Sequence, residues 1–222
     1  MKYIIVDLEM NSVNKKYKEE RDICNMEIIE IGAVVMDESL LVIGEFKTFV
    51  KPQFSDVIYK KYENLTGINT QMVCHAPTFV TAYEHFVDWC ESYEDDYEIY
   101  SWSDTDYNQI VAEMALKGYN NEEKKEPLKH WFDFQKEYTE KLGLERIMSL
   151  DKALDYAGLP FEGRMHDALC DAKNTAELFS IIRDEEKCKA TLNAVMEALR
   201  PKNVSETLGD RFDFSAIMSK LA

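Results

Sequence analysis

Within its first fifty residues the chain carries three runs rich in isoleucine, valine and tyrosine, at 2–7, 27–36 and 41–50. Such residues suit a pleated, half-buried surface, and Asp37 to Ser39 supply a turn between the second and third runs. Three consecutive strands commit the opening of the chain to a sheet with antiparallel neighbours. Residues 11–25, between the first two runs, are polar and include Lys15, Lys16, Lys18 and Arg21. That stretch is too long for a tight hairpin and reads as a mobile loop at the end of the first strand, its charges a solvated run.

Past residue 78 the pattern changes. Apolar residues at 79, 80, 83, 86, 87 and 90 follow three-four spacing after Pro77 and Thr78, which predicts a helix over 79–93. A buried strand comes next at 98–102, then a helix over 105–117 stopped by Gly118. After a charged linker at 120–126, residues 131–142 leave strand and helix both open, and 149–157 forms a short helix closed by Gly158 and Pro160. A long helix over 167–183 carries Ala168, Ala172, Thr175, Ala176, Phe179 and Ile182 on one stripe, and a last helix at 185–199 stops before Pro201.

Three strands followed by alternating strands and helices predict an α/β fold with a mixed central sheet, its first three strands antiparallel, flanked by helices. The 222 residues suit one such domain. Residues 1–185 are taken as the domain, with 186–222 a C-terminal helical extension whose tail, 202–222, is the only candidate appendage.

The net charge of −16 argues against tight binding of long duplex nucleic acid, which usually calls for a basic surface. A short strand held through bound cations stays compatible with it, because a cation reverses the local field around clustered carboxylates. Five cysteines without Cys-x-x-Cys spacing suggest neither a disulfide framework nor a zinc site. The apolar stretch before Asp7 is too short for a signal peptide, and no segment approaches the roughly 20 apolar residues of a membrane span. The expectation is a cytoplasmic protein with no membrane contact.

Several acids stand where acids are costly. Asp7 and Glu9 lie two apart on the first strand, on one face and about 6.6 Å apart along it. Alone, the pair also reads as two surface acids where a strand ends. Asp106 follows a buried strand and shares a helical stripe with Ile110 and Met114, although an acid at a helix N-terminus is favourable in itself. Ser103, Asp104 or Thr105 can cap that helix. Asp171 borders the apolar stripe of the late helix, and His166, five residues earlier, must precede that helix to reach the same place. Taken together, four carboxylates and one histidine suit hard divalent cations better than zinc. Two such ions about 3.5–4 Å apart activate a water and stabilise the leaving oxygen in phosphoryl displacement, and histidine side chains titrate near neutrality, so His166 can take the proton.

Asp7-Leu8-Glu9, Asp106 and His166-x4-Asp171 resemble the three motifs of the DEDDh exonuclease superfamily, whose members are similar to RNase T and the epsilon subunit of DNA polymerase III. Glu27-Ile28-Ile29-Glu30-Ile31-Gly32-Ala33-Val34, Phe49-Val50-Lys51-Pro52 and Leu65-Thr66-Gly67-Ile68 bring it nearest to the KapD and Eri-type exonucleases, over about residues 1–185. The resemblance implies an RNase H-like fold and two Mg2+ or Mn2+ ions on Asp7, Glu9, Asp106 and Asp171. It further implies His166 as general base and 3′→5′ hydrolysis of single-stranded RNA or DNA ends to nucleoside 5′-monophosphates. Ser103-Asp104-Thr105-Asp106 allows two registers for the second motif, of which the family pattern favours Asp106. Met10, Leu65, Thr66 and Tyr107 are the candidate substrate contacts, with the segment from Leu65 resembling the family's wedge against terminal bases. A turn before a helix explains its glycine equally well. Tyr17, Tyr62, Trp102 and Tyr107 are candidates for base stacking. Rival readings are a catalytically idle binding or regulatory module of the same fold, and a polymerase-associated proofreading subunit.

Overall fold

The first apolar run continues well past residue 7. Strand β1 spans Lys2–Ser12, so both early acids lie inside a strand and not at its end. The segment after β1 is tied down, contrary to the expected mobile loop, and contains a short helix, α1 (Lys18–Ile23). Val13 N–H donates to Asn25 O at 3.0 Å, Asn14 N–H to Phe54 O at 2.8 Å, and the Arg21 guanidinium to Val13 O at 2.6 Å. Val13 and Cys24 are buried, but two apolar anchors scattered among charges leave no periodicity to read.

Strand β2 (Met26–Met36) pairs antiparallel with β1 along its whole length, with one bulge after Glu9. Strand β3 (Val42–Phe49) continues antiparallel on the far side of β2. Two short helices that the sequence pattern does not announce come next, α2 (Lys60–Thr66) and α3 (Thr70–Val73). Helix α4 (Phe79–Glu91), strand β4 (Tyr97–Ser101) and helix α5 (Thr105–Lys117) match their expectations closely. The charged linker is a 3-10 segment (Glu123–His130). The ambiguous stretch divides into strand β5 (Trp131–Asp133) and helix α6 (Phe134–Lys141). Helices α7 (Leu150–Tyr156), α8 (Ala168–Arg183) and α9 (Glu185–Ala198) complete the described residues. The structure is a computed structural model describing residues 1–94 and 96–198, so the expected tail at 202–222 lies outside the described residues.

The sheet order is β3-β2-β1-β4-β5, with β1, β4 and β5 mutually parallel. Alternation along β1 divides the core in two. Ile4, Val6 and Leu8 join Ile31, Ala33 and Val35 beneath α4 and α5, where Phe79, Tyr83, Phe86 and Ile110 are buried. Ile5 faces the other way, with Val34 and Met36, against Phe134, Tyr138, Leu154, Phe179 and Ile182 of α6, α7 and α8. The stripe expected on α8 is buried throughout, and Val195 of α9 seals the same cluster.

The start of α8 sits directly on β2. A β-carbon built on Gly32 would overlap the backbone of Ala168 and Leu169, so only glycine permits this approach. Gly32 pairs with Asp7 on β1 and with Lys47 on β3, which brings the first turn of α8 over both. All five cysteines are free, and no helix among the described residues is long and apolar enough to cross a membrane.

Candidate active site

Asp7 and Glu9 continue the face of β1 that Ile5 begins, so they point to the side on which α8 starts. Asp7 is half-buried and Glu9 is 6% exposed. Asp106 reaches the same place from α5. Pairing between β1 and β4 ends at Ile5 and Tyr100, so Leu8 has no partner on β4, and the buried Asp106 carboxylate accepts its N–H. Asp104, the other register of the motif, is exposed and serves as the backbone N-cap of α5. The structure therefore brings in Asp106 and leaves Asp104 outside.

His166 precedes α8, as its spacing from Asp171 requires. Its backbone is left-handed, with φ 61°, a conformation that is strained for a residue with a β-carbon. The Asp171 carboxylate restrains it by accepting the His166 backbone N–H at 3.1 Å through Oδ2. The other oxygen of Asp171, Oδ1, is buried without a hydrogen-bond partner. Glu9, His166 and Asp171 each bring one ligand atom within 4.8 Å of the others.

The carboxylates bear the marks of crowding. Burial raises Asp7 well above the ordinary aspartate range, and Asp106, Asp171, Glu9 and Glu30 push it further. Glu9 is raised to about 8 by burial, then by Asp171 and Glu30. Burial raises Asp106 against the opposing pull of the Leu8 N–H. Asp171 is raised to about 6 by burial, offset in part by the His166 N–H. Buried carboxylates that repel one another, one of them with an orphaned oxygen, fit a multivalent cation. The donor set is all oxygen with one imidazole, which suits Mg2+ or Mn2+.

Behind this cluster lies a network that the motif acids alone do not reveal. Glu30, directly opposite Glu9 on β2, is 1% exposed and accepts the Ala168 N–H at 2.9 Å. Lys47 Nζ bridges Glu30 at 3.1 Å and Asp167 at 2.6 Å. Asp167, expected as a helix-start acid, caps α8 by accepting the Cys170 N–H. Ala168 is thus held to β2 and Asp167 to β3. The signal in the sequence is an acid within the otherwise apolar stretch 28–36, since a buried carboxylate requires partners.

The other candidates scatter. Met10 is half-buried in a cavity between β1, α1 and α5 that Arg21, Asn25, Thr105 and Gln109 also line. Leu65 is 44% exposed at the end of α2. Thr66 is turned inward, its hydroxyl donating to Tyr62 O and accepting from the Ile68 N–H, so it braces the turn. Tyr107 is half-buried, edge-on to Trp131. Trp102 is buried against Phe134 and Tyr138 and has no face left for a base. Tyr17 packs edge-on to Phe54, and the Tyr62 hydroxyl bonds Ser12. Lys16 is paired with Asp56 and Arg21 is spent on Val13, while Lys15 and Lys18 stay exposed.

An exonuclease family model (RNase_T) matches residues 4–179. The chain belongs to the exonuclease family. It is 26% identical over 191 residues to human 3′-5′ exoribonuclease 1, covering 82% of this chain and 53% of that protein. The chain thus spans about half the length of that curated relative. The nuclease domain of 3′hExo, a DEDDh family member bound to rAMP, superposes with a TM-score of 0.72 at 22% identity, covering 83% of this chain and 92% of that one. S. pombe Pop2p in its Mg2+- and Mn2+-bound form superposes with a TM-score of 0.59 at 18% identity, covering 82% and 83%. These likenesses show that the chain has the RNase H-like exonuclease fold expected of it.

Proposed function

We propose that this protein is a metal-dependent 3′→5′ exonuclease that hydrolyses the terminal phosphodiester of single-stranded nucleic acid and releases nucleoside 5′-monophosphates. The observation that carries this reading is the convergence of four carboxylates, their protonation favoured first by burial and then by neighbouring acids, on the loop that presents His166. Asp7, Glu9, Asp106 and Asp171 would hold two Mg2+ or Mn2+ ions, which supply an activated water and charge neutralisation at the leaving oxygen. His166 is exposed beside them, free to accept the water's proton and pass it to solvent. The Lys47 bridge and the Asp171 carboxylate hold its loop in the strained conformation, so little reorganisation accompanies proton transfer. In this reading the terminal base would meet Leu65, which is exposed at the end of α2.

RNA is the favoured substrate, because the human relative is named an exoribonuclease and a neighbouring fold is described with rAMP bound. Residues 1–185 form the catalytic unit in this reading, with 186–222 as an extension, and the site of action is the cytoplasm. The test is a 5′-labelled oligonucleotide ladder, RNA against DNA, with Mg2+ or Mn2+. Trimming from the 3′ end, abolished by Asp7→Ala, is expected. Intact substrate under all four conditions overturns the proposal. Calorimetric titration separates the idle-module alternative, since such a module has no need to take up Mn2+ saturably.

A further inference from the structure

Two residues before His166, Arg164 extends its guanidinium across to the end of α2. Nη2 donates to Leu65 O at 3.4 Å, linking segments 99 residues apart. The guanidinium lies against Gly67 so closely that a β-carbon there would overlap Nη1 and Cζ and stand 2.8 Å from Nη2. Gly67 is also left-handed, with φ 78°, as the residue that ends α2. Arg164 thus spans the gap between the loop that presents His166 and the turn that presents Leu65.

Three features point to an unfinished role for this cation. Among the described residues Arg164 makes no ion pair, although two residues along the chain His166 gathers with the carboxylates of Glu9 and Asp171. The one hydrogen bond it makes among the described residues is longer than the usual 2.7–3.2 Å for N–H···O, so its loss costs little. A guanidinium offers a planar fork of donors that fits phosphate in two places at once, with stronger bonds than a neutral carbonyl provides. In a chain of net charge −16, a polyanionic strand needs a positive contact beyond the metal ligands.

We propose that Arg164 is a phosphate-binding residue of the substrate channel, exchanging the Leu65 carbonyl for a phosphodiester of the bound strand. This rests on the exonuclease reading above, and it adds a specific anchor to it. Arg164 then couples entry of the strand to both sides of the site, because its release from Leu65 frees the turn that faces the terminal base.

The test is steady-state trimming of single-stranded RNA by the full chain, as wild type, Arg164→Ala and Arg164→Lys, across a salt series. Arg164→Ala is expected to raise KM about tenfold, the order of one charge-assisted contact, with kcat little changed. Its plot of log affinity against log salt should flatten by about 0.7, the loss of one phosphate contact on a single strand. Arg164→Lys should keep the wild-type slope with an intermediate KM, since it retains the charge and loses the fork. Unchanged KM and slope in Arg164→Ala overturn the proposal, while wild-type trimming leaves the exonuclease reading standing. A fall in kcat together with weaker Mn2+ uptake by calorimetry also overturns it, assigning Arg164 to bracing the metal site. A wild-type protein inert on every oligonucleotide overturns the exonuclease reading and this one with it.

Discussion

Replacing Gly32 by alanine should separate the two halves of the site without touching any of its functional groups. The new β-carbon would overlap Leu169 N and Ala168 C and stand 2.7 Å from Ala168 O, where ordinary contact begins at 3.4 Å. Relieving the oxygen contact alone requires a retreat of about 0.7 Å, and the two closer atoms require more. These are backbone atoms at the first turn of α8, fixed by the Glu30 and Asp167 hydrogen bonds, so no flexible side chain can yield instead. The helix must lift from β2, carrying Asp171 and His166 away from Asp7 and Glu9. A misplacement near 1 Å at a reacting centre costs on the order of 100-fold in rate, and overpacking costs about 1–3 kcal/mol of stability. Exonuclease assays should show kcat falling by about that factor, and calorimetry should show weakened Mn2+ uptake. Melting curves should stay cooperative at a lower midpoint. A Gly32→Ala protein with wild-type kcat and wild-type Mn2+ affinity would refute the claim that this glycine sets the distance of Asp171 and His166 from Asp7 and Glu9.

Lys47→Met leaves buried Glu30 and capping Asp167 without their shared cation. Because Lys47 is itself one-third exposed, the stability loss should be modest, about 1–2 kcal/mol, while kcat falls about 10- to 100-fold through the His166 loop. Chemical denaturation and turnover measurements check both, and unaltered turnover would remove the network from the site. The metal-free protein should lose stability as pH rises. Glu9 is raised from 4.5 to about 8 and Asp171 from 3.8 to about 6 in the fold, so the native state binds more protons than the unfolded one between about pH 4 and 8. Its melting midpoint should fall through that window and level off above it, and saturating Mn2+ should cancel the trend while releasing protons on binding. A pH-independent midpoint without metal contradicts the electrostatics. Glu9→Gln removes a charge that the fold opposes, so at pH 8 the metal-free variant should melt about 2–4 °C higher, the equivalent of roughly 1 kcal/mol, while losing trimming activity. A lower midpoint would show that Glu9 is satisfied by partners in the chain.

Why some of the fold and site is legible in the sequence and some is not depends on the range over which each signal acts. Asp106 and Asp171 announce themselves because each interrupts an apolar helical stripe, a local pattern the core enforces, and α5 and α8 follow those stripes almost to the residue. The extension of β1 through Ser12 is hidden, because Glu9 and Asn11 look like the end of a strand until β2 is known to pair beside them. Helices α2 and α3 carry mostly polar residues and contribute only Thr66 and Val73 to the interior, so they offer no stripe to detect. Trp102 shows the reverse error: an aromatic next to a motif acid suggests stacking, yet strand alternation sends it into the second core. Gly32, Lys47 and Arg164 belong to a third class. Each acts through a residue more than 95 positions away, and nothing in the neighbouring sequence records that partner. The motif acids specify what the site can hold, whereas the distances among them are set by residues like these, whose meaning exists only once the sheet has brought the two ends of the chain together.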